Sequence, residues 1–377
     1  MHIAINCSSL RHPLTGIGNY TYNLAHQLMI LNNLELTFLY GLSSSSNLTI
    51  QKYKSQNIRS IIRNYIPNSY SLKRFLETRS LQSLLKKKNI DIYHDTNNLL
   101  LDYEGISVLT VHDLSWIKFP NSHPVERVKM LNKYFEKSIQ SANHIITDTQ
   151  YIKNELIEYF NIDEKKISPI HLGINSDFQL LTNDIVENYL KTVDLSIGKY
   201  WLTVGTLEPR KNLQTALNAF LSFPKKDRQQ FPLVLVGSDG WLNENFKKKI
   251  EPYLNSGEII KLGYCSVSDL VKLYNGACGL IYPSLYEGFG LPPIEAIACG
   301  CPVISSNAGA LKEVLSVNAI FTDPFDDKGI YNAMISLKEA NKFREKLVRS
   351  GLDYSAQFDW KKCAMNTYNI YKVLNNY

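Results

Sequence analysis

The chain has 377 residues, of which 44% are hydrophobic and 20% are charged, and its net charge is +6. This composition is typical of a soluble globular protein, and the length predicts two domains rather than one. No apolar run reaches the roughly 18 residues that a transmembrane helix needs, which excludes that class of protein. The first residues, Met1–Asn6, lack the basic and long apolar regions of a signal peptide and are predicted to form a strand.

The charge is unevenly distributed along the chain. Residues 51–90 contain ten Lys or Arg side chains and one acid, Glu77, so this segment carries +9 and the remainder −3. The six cysteines are scattered and lack the spacing of metal ligands, which predicts free thiols in a reducing cytosol.

The first half of the chain alternates between strand and helix patterns. Apolar runs predict strands at 2–7, 35–40, 90–94, 107–112, 144–148 and 167–173. Helical patterns lie between them at 20–31, 71–88 and 124–141. This order begins with a βαβ unit and predicts a parallel sheet.

The second half repeats the alternation after a polar stretch. Residues 175–198 have no clear periodicity and are interpreted as a linker. Further strands are predicted at 200–204, 232–237, 259–262, 279–282 and 302–305. The fold class is therefore α/β, with two Rossmann-like, doubly wound domains facing a central cleft.

Two carboxylates lie eight residues apart around a glycine-rich turn. Glu287 follows the apolar run 279–282, and Glu295 lies in a short helix that Pro292 or Pro293 can start and Gly300 can stop. A strand, a glycine turn and a helix start present backbone N–H groups to an anionic ligand in parallel α/β sheets. Carboxylates beside such a turn suit a ligand with both phosphates and hydroxyls, such as a sugar nucleotide.

This block resembles the E-x7-E signature of the retaining glycosyltransferases of family GT4, which have the GT-B fold. The flanking segments 286–292 and 300–305 resemble that family too. The resemblance implies that Glu295 accepts hydrogen bonds from ribose hydroxyls and that Glu287 contacts the sugar and stabilises charge at its anomeric carbon. It also implies that backbone N–H groups hold the sugar and phosphate at Gly288, Phe289, Gly290 and Leu291.

The segment 204–212 resembles the part of the same family that binds the donor diphosphate. The family has an Arg and, five residues later, a Lys. Lys211 occupies the Lys position, Thr206 replaces the Arg, and Arg210 is the candidate substitute, although its direction is open at this point. The sequence Glu-Pro-Arg-Lys-Asn is similar to that of mannosyltransferase-like members.

A glycine loop follows the first strand. It lacks the third glycine of a dinucleotide fingerprint, because position 21 is Thr. The resemblance implies instead that Gly16 lets the backbone approach the donor diphosphate, since glycine has no Cβ to clash with it. A tight turn without a ligand is the alternative.

Polar residues follow several strands of the first half. His112 ends a strand at the sheet edge where α/β proteins bind ligands, and the resemblance implies that it lies near the transferred sugar as a catalytic residue. Asp113, His94 and Asp148 also lie at strand ends and are candidates for acceptor binding. The alternative for each is a capping or core role.

No metal or other cofactor is predicted, because the chain has no Asp-x-Asp motif to hold a divalent cation on the diphosphate. The positive charge at the diphosphate would come instead from Lys211, Arg210 and a helix N-terminus. The basic segment 51–90 predicts docking on an anionic membrane surface or lipid-linked acceptor, a solvated helix face being the alternative. Nucleic acid is not an expected partner, since no aromatic-interleaved or zinc module accompanies the charge.

The predicted domains are an acceptor domain at 1–175, a linker at 176–198, a nucleotide-sugar domain at 199–356 and a final helix at 357–377 that packs back on the first domain. The predicted function is retaining transfer of a hexose, with mannose from GDP-mannose as the first choice, to a saccharide or lipid-linked saccharide in bacterial surface polysaccharide synthesis such as that of lipopolysaccharide. The expected location is the cytoplasm, at the inner face of the membrane. A UDP-sugar-dependent transferase, a GT-B sugar-nucleotide epimerase and a non-catalytic binding protein are the alternatives.

Overall fold

The computed structural model describes residues 1–12, 14–31, 33–51, 69–240 and 244–376. It divides into two compact units. Unit 1 comprises Met1–Lys118, Val125–Gly173 and Asp359–Tyr377, and unit 2 comprises Phe119–Pro124 and Ile174–Phe358.

Unit 1 is built on a sheet in the order β3-β2-β1-β4-β5-β6-β7. Every pair of neighbours is parallel except β2 and β3. The strands are β1 (His2–Asn6), β2 (Glu35–Leu39), β3 (Ser44–Ser45), β4 (Ile92–Asp95), β5 (Ile106–Val111), β6 (His144–Thr147) and β7 (Ile167–Pro169). Strand β4 is fully buried and β5 nearly so, and four of the six residues of β5 are apolar, as expected for a parallel sheet that helices cover.

Helices connect these strands. They are α1 (Gly16–Met29), α2 (Ser69–Lys88), α3 (Ser115–Lys118), α4 (Val125–Ser141) and α5 (Gln150–Phe160). Helix α5 shows how the sequence sets the bounds: the Thr149 side chain accepts a hydrogen bond from Ile152 N at the start, and Asn161 takes a left-handed conformation at the end.

Unit 2 contains a second sheet, in the order β10-β9-β8-β11-β12-β13, that is parallel throughout. Its strands are β8 (Trp201–Val204), β9 (Leu233–Val236), β10 (Ile259–Gly263), β11 (Gly279–Tyr282), β12 (Val303–Ser306) and β13 (Ile320–Thr322). Strands β9 and β11 are fully buried, and Trp201, Leu235 and Ile281 contribute to the core beneath the helices. The predicted class, two parallel sheets flanked by helices, is confirmed.

The helices of unit 2 include one in the segment that the sequence analysis interprets as a linker. They are α6 (Asn183–Lys191), α7 (Leu213–Leu221), α8 (Lys225–Gln230), α9 (Glu244–Asn255), α10 (Val267–Gly276), α11 (Leu291–Ala298), α12 (Leu311–Leu315), α13 (Asp327–Glu339) and α14 (Asn341–Ser355). Helix α6 lies inside residues 176–198, the segment interpreted as a linker. It buries Val186 and Leu190, and a Cβ at Gly276 of α10 would meet both side chains. Only two apolar positions face inward, and so short a stripe gives little periodicity to detect in a polar sequence.

The last helix, α15 (Trp360–Asn375), belongs to unit 1 although it follows unit 2 in the chain. It buries Cys363, Ala364 and Tyr371. The Tyr371 hydroxyl lies 2.5 Å from Nδ1 of His94 on β4, which ties the helix to the sheet.

All six cysteines are unpaired and five of them are buried. Among the described helices, none is both long and apolar enough to cross a membrane.

Candidate functional site

The candidate site lies where the chain of unit 2 reverses its direction of winding. Strand β8 is paired with β9 on one side and with β11 on the other. In open α/β sheets, ligands bind outside the carboxyl ends of strands at such a switch point. The segment after β8 carries Arg210 and Lys211, and the segment after β11 carries Glu287.

Glu287 is the centre of this site. Its side chain is buried, and Oε1 lies 2.6 Å from Lys211 Nζ, 2.6 Å from Ser284 Oγ and 2.9 Å from the Tyr282 hydroxyl. Oε2 lies 2.9 Å from Nη1 of Arg210. Both carboxylate oxygens are therefore held by charged or hydroxyl donors, which fixes the side chain before any ligand binds.

Arg210 and Lys211 reach the same carboxylate from one short turn, Pro209–Lys211. Nη2 of Arg210 also lies 2.8 Å from Glu208, a buried carboxylate that the sequence analysis does not single out. Asn212, in the left-handed conformation, anchors the end of the turn by donating to Pro283 O at 3.1 Å. The direction of Arg210, left open by the sequence, is thus toward Glu287.

Thr206 holds the position at which the resembling family has an arginine. It is partly exposed, and its carbonyl accepts a hydrogen bond from Glu208 N. The hydrogen-bond partners of Glu287 described above do not include the Thr206 side chain. The guanidinium beside Lys211 is that of Arg210 instead.

The electrostatics of the cluster favour charged groups. Burial alone would raise the pKa of Glu287, but Arg210 and Lys211 together with the Ser284 hydroxyl hold it at about 2. The carboxylate is therefore ionised at neutral pH. The cations Arg210 and Lys211 are balanced by the carboxylates Glu287 and Glu208. Both cations are therefore already in place for an anionic ligand that displaces a carboxylate.

Glycines shape the loop that carries Glu287. Gly290 has φ +94° and caps α11. Of the first three residues of this helix only Leu291 carries a backbone N–H, because the next two are prolines, and Leu291 belongs to the predicted donor-binding segment. Phe289 points inward and packs edge-on against Phe358, with ring centroids 5.8 Å apart. Gly309, which the sequence analysis misses, has φ +60°, and a Cβ there would lie 2.7 Å from the Glu287 carbonyl oxygen. No local motif marks Gly309, because its constraint comes from a distant loop.

Glu295 lies one turn into α11 and is partly exposed. Burial of its carboxylate raises the pKa to about 7, and the neighbouring hydroxyl of Tyr274 offsets this only in part. That hydroxyl is itself buried without a hydrogen-bond partner of good geometry. Glu295 and Tyr274 thus form a polar pair whose hydrogen-bonding capacity is incompletely used.

In unit 1, His112 lies at the end of β5 as predicted, in a closed network. Nδ1 is 2.8 Å from Asp148 Oδ2, and Nε2 is 2.9 Å from the carbonyl oxygen of Thr96. A carbonyl and an ionised carboxylate can only accept, so an ionised Asp148 favours a ring that donates from both nitrogens. Burial lowers the pKa of His112, but Asp148 outweighs that effect and raises it.

The other strand-end residues of unit 1 have different environments. His94 has no exposed surface, and Thr110 and Tyr371 engage its two ring nitrogens. It is a core residue in this structure, so the predicted acceptor contact is not open to it. Asp113 caps the turn at Ser115 by accepting from its N and Oγ. Asp148 is buried against His112, with Oδ1 lacking a hydrogen-bond partner.

Gly16 is exposed at the start of α1. A Cβ at this position would meet nothing within 4 Å, and its φ is not positive. Packing within unit 1 therefore does not explain the glycine, and its predicted approach to a diphosphate stays a prediction.

Among the described residues, no three His, Cys, Asp or Glu side chains are grouped so that they could hold a metal ion.

Two family profiles match the chain along most of its length. Residues 14–178 match "Glycosyltransferase Family 4" and residues 196–353 match "Glycosyl transferases group 1". The chain is 32% identical over 382 residues to O-antigen chain mannosyltransferase B of Escherichia coli, a match that covers 99% of this chain and 100% of that protein. It is 26% identical to O-antigen chain mannosyltransferase RfbU of Salmonella typhimurium, over 80% of this chain and 77% of that one.

The fold has solved counterparts. The structure superposes on sucrose-phosphate synthase from Thermosynechococcus elongatus with a TM-score of 0.79 and 19% identity, covering 99% of both chains. The two Rossmann-like units are therefore those of the GT-B fold.

The family matches and the relatives together define a glycosyltransferase. The chain belongs to the GT4 family of group 1 glycosyl transferases, as its signature sequence predicts.

Proposed function

We propose that this glycosyltransferase moves a hexose from a nucleoside diphosphate sugar to a saccharide acceptor and retains the anomeric configuration. GDP-mannose is the proposed donor. The acceptor is proposed to be a saccharide or lipid-linked saccharide of a bacterial surface polysaccharide such as lipopolysaccharide.

The observation that carries this proposal is the cluster of Glu287, Arg210 and Lys211 at the switch point of the second sheet. Glycosyl transfer from such a donor releases a nucleoside diphosphate, so negative charge develops on the leaving group. Preorganised cations stabilise that charge without having to reorganise during the reaction. Arg210 and Lys211 are held 2.9 and 2.6 Å from Glu287 and meet this requirement.

The proposed roles are those that the resemblance to GT4 implies, and the contacts of Arg210, Lys211 and Glu287 support them. Lys211 and Arg210 bind the diphosphate, Arg210 taking the role of the arginine that Thr206 replaces. Glu287 remains ionised and stabilises positive charge near the anomeric carbon, while Glu295 accepts from ribose hydroxyls. The N–H groups of 288–291 contribute at the start of α11. No residue is assigned as a covalent nucleophile; attack on the same face that the diphosphate leaves, with a diphosphate oxygen as base, is proposed.

Mannose as the transferred sugar rests on the relatives. Both O-antigen relatives described above are mannosyltransferases by name, and the segment 208–212 is similar to mannosyltransferase-like members. A UDP-sugar is the second candidate donor. The proposed location is the cytoplasm, at the inner face of the membrane.

The comparisons lend no support to a sugar-nucleotide epimerase. A non-catalytic binding protein would have no need of an intact Glu287, Glu295 and Lys211, and catalysis itself separates the two classes.

The test has two stages. First, melting temperature is measured with GDP, UDP and ADP, since a ligand that binds only the folded state raises it. Then the purified chain is incubated with the matching sugar nucleotide and methyl mannosides or membrane saccharide extract, and product configuration is read by NMR. A GDP-selective shift followed by α-mannoside formation from GDP-α-mannose is expected. Two results contradict the proposal. One is nucleotide binding with neither sugar transfer nor hydrolysis of the donor, and the other is a product of inverted anomeric configuration.

A further inference from the structure

Asn212 lies directly after the turn that carries Arg210 and Lys211 and directly before helix α7. Its backbone is in the left-handed conformation, with φ +53° and ψ +38°. Asparagine and aspartate are among the few residues with a side chain that adopt this conformation readily, and glycine is the usual alternative. The backbone therefore favours Asn, Asp or Gly at this position, and the side-chain contacts decide among the three.

The side-chain amide of Asn212 uses both of its hydrogens. Nδ2 donates to the carbonyl oxygen of Pro283 at 3.1 Å and to that of Pro324 at 2.5 Å, and Oδ1 accepts from the Thr215 hydroxyl at 2.9 Å. Because a carbonyl can only accept, both proline contacts need an N–H donor. Glycine has no side-chain donor and an ionised aspartate has only acceptors, so asparagine alone of the three residues supplies these contacts.

These contacts connect three loops at the carboxyl edge of the second sheet. Asn212 lies in the segment after β8, Pro283 follows β11 directly, and Pro324 follows β13 by two residues. The sheet order in this region is β8-β11-β12-β13. One side chain therefore connects loops from both ends of a run of four strands.

A second set of contacts connects the same turn to the loop of Glu287. The carbonyl oxygen of Arg210 accepts from Leu285 N at 2.8 Å and from the Ser284 hydroxyl at 3.2 Å. The Ser284 hydroxyl also lies 2.6 Å from Glu287 Oε1. The backbone that carries both cations is thus attached to the segment between Pro283 and Glu287.

We propose that Asn212 is a positioning residue, whose amide holds the loops after β8, β11 and β13 together and thereby sets the distances of Arg210 and Lys211 from Glu287. It acts through the two cations and is not assigned a contact with the substrate. The inference rests on the proposed function in one respect, namely that these cations stabilise the departing diphosphate during transfer.

Two variants separate the amide from the backbone conformation. Asn212→Gly keeps the left-handed conformation and removes the amide, whereas Asn212→Asp keeps the shape of the side chain and removes its donors. Matched controls are Asn161→Gly and Asn161→Asp. Asn161 also has a left-handed conformation, with φ +49°, but it lies exposed at the end of α5 in unit 1. Melting temperature is recorded for all four variants, so that a folding defect in one Asn212 variant leaves the other to decide.

Turnover is measured as release of nucleoside diphosphate with saturating donor and acceptor. Both Asn212 variants should lower kcat at least about fivefold, because small displacements of preorganised groups weaken their effect on the transition state. The Asn161 variants should behave as the wild type does. In the double variant of Asn212→Gly and Lys211→Ala, the loss should be smaller than the product of the two single losses, because Asn212 acts partly through Lys211.

Hydrogen exchange, followed by mass spectrometry, tests the contacts of Asn212 without any need for activity. The segment 283–287, which includes the N–H of Leu285, should exchange at least about threefold faster in the Asn212 variants and at the wild-type rate in the Asn161 variants.

Three results overturn the inference. They are wild-type exchange of 283–287 in a folded Asn212 variant, a loss of kcat smaller than that expected, and single losses that multiply in the double variant, as a purely structural effect would give. If the wild type transfers no sugar, the proposed function fails by itself, and hydrogen exchange alone decides whether Asn212 holds the loops.

Discussion

Glu287 has its binding partners far away in the sequence but close in the structure. Arg210 and Lys211 precede it by 77 and 76 residues, and each lies within 3 Å of one of its oxygens. Removing one partner of such a buried group leaves charge uncompensated, so each residue of the cluster affects both activity and stability.

Lys211→Ala should lower turnover by about two orders of magnitude or more, because it removes one preorganised cation from the departing diphosphate. The measurement is steady-state release of nucleoside diphosphate with saturating donor. Lys226→Ala, at an exposed lysine of α8, is the control and should behave as the wild type. If the turnover of Lys211→Ala is near normal and Arg210→Ala is inactive, then Arg210 has the role that we assign to Lys211.

Glu295 gives a prediction about pH. Its pKa is raised to about 7 by burial, and ribose hydroxyls donate more strongly to the ionised carboxylate than to the protonated one. Binding therefore favours the deprotonated form, and donor affinity should rise as pH increases from about 6 to about 8. Calorimetry at several pH values in buffers of different ionisation enthalpy measures the affinity and the proton released.

Glu295→Gln should lose this pH dependence, and Glu295→Ala should bind the donor more weakly by about 1.5–3 kcal/mol, the value of a hydrogen bond to a charged group. Donor affinity of Glu295→Ala equal to that of the wild type would exclude the ribose role.

At the scale of elements, the site depends on loops that are held by glycines. Gly309→Ala should destabilise the protein by about 2–4 kcal/mol, because it combines a left-handed conformation with a clash against the Glu287 backbone. The free energy of unfolding from urea titration, together with kcat, checks this.

Gly257→Ala is the matched control. Gly257 also has a positive φ, +75°, but a Cβ there would meet nothing within 4 Å. The control should lower the free energy of unfolding by about 1–2 kcal/mol, because of the left-handed conformation alone, and leave kcat unchanged. Equal effects of the two substitutions on kcat would mean that Gly309 does not position Glu287.

The basic segment 51–90 is a second feature at this scale. Residues 52–68 and several side chains of α2 lie outside the described residues. Of the charges that are described, Arg74 is bound within unit 1, so it contributes less to a surface than the sequence count suggests.

Binding to anionic liposomes should fall as salt rises, because electrostatic attraction is screened over about 8 Å at physiological ionic strength. It should fall further when the three lysines at 86–88 are changed to Gln. Changing Lys225, Lys226 and Lys248 to Gln, which alters the net charge equally, is the control. If the wild-type protein does not co-sediment with anionic vesicles at low salt, the membrane role is wrong and the segment is a solvated helix face. Donor affinity should be the same in both variants.

For the whole molecule, we predict that transfer does not need a metal ion, since the cations at the proposed donor site are side chains. Activity should survive dialysis against EDTA and should be unchanged by added Mg²⁺ or Mn²⁺. Loss of transfer on chelation that either ion restores would show that a metal neutralises the diphosphate instead.

Much of the architecture was predictable from the sequence, because each strand of a covered parallel sheet is a short apolar run between turn residues. Eleven predicted strands coincide with observed ones to within a few residues, while β3 and β13 were missed and helix α6 was interpreted as part of a linker. Strand β3 has only two residues, β13 is only partly buried, and α6 has two buried side chains. Elements with so little buried apolar surface leave a weak pattern in the sequence.

The candidate site was predictable where residue type and local spacing carry the signal. The E-x7-E block and Lys211 were found in this way, and the family comparisons confirm the class of protein that they indicate. Glu208, Ser284 and Gly309 were not found, because each is defined by a contact with a residue from another loop.

The sequence by itself therefore determined the fold class, the family and the carboxylates and cation of the candidate site, since these are properties of local patterns. Only the tertiary structure decided that Arg210 points to Glu287 and that His94 is enclosed by Thr110 and Tyr371. The physical reason is that side-chain direction and burial depend on how distant segments pack, and neither is encoded in the spacing of residues along the chain.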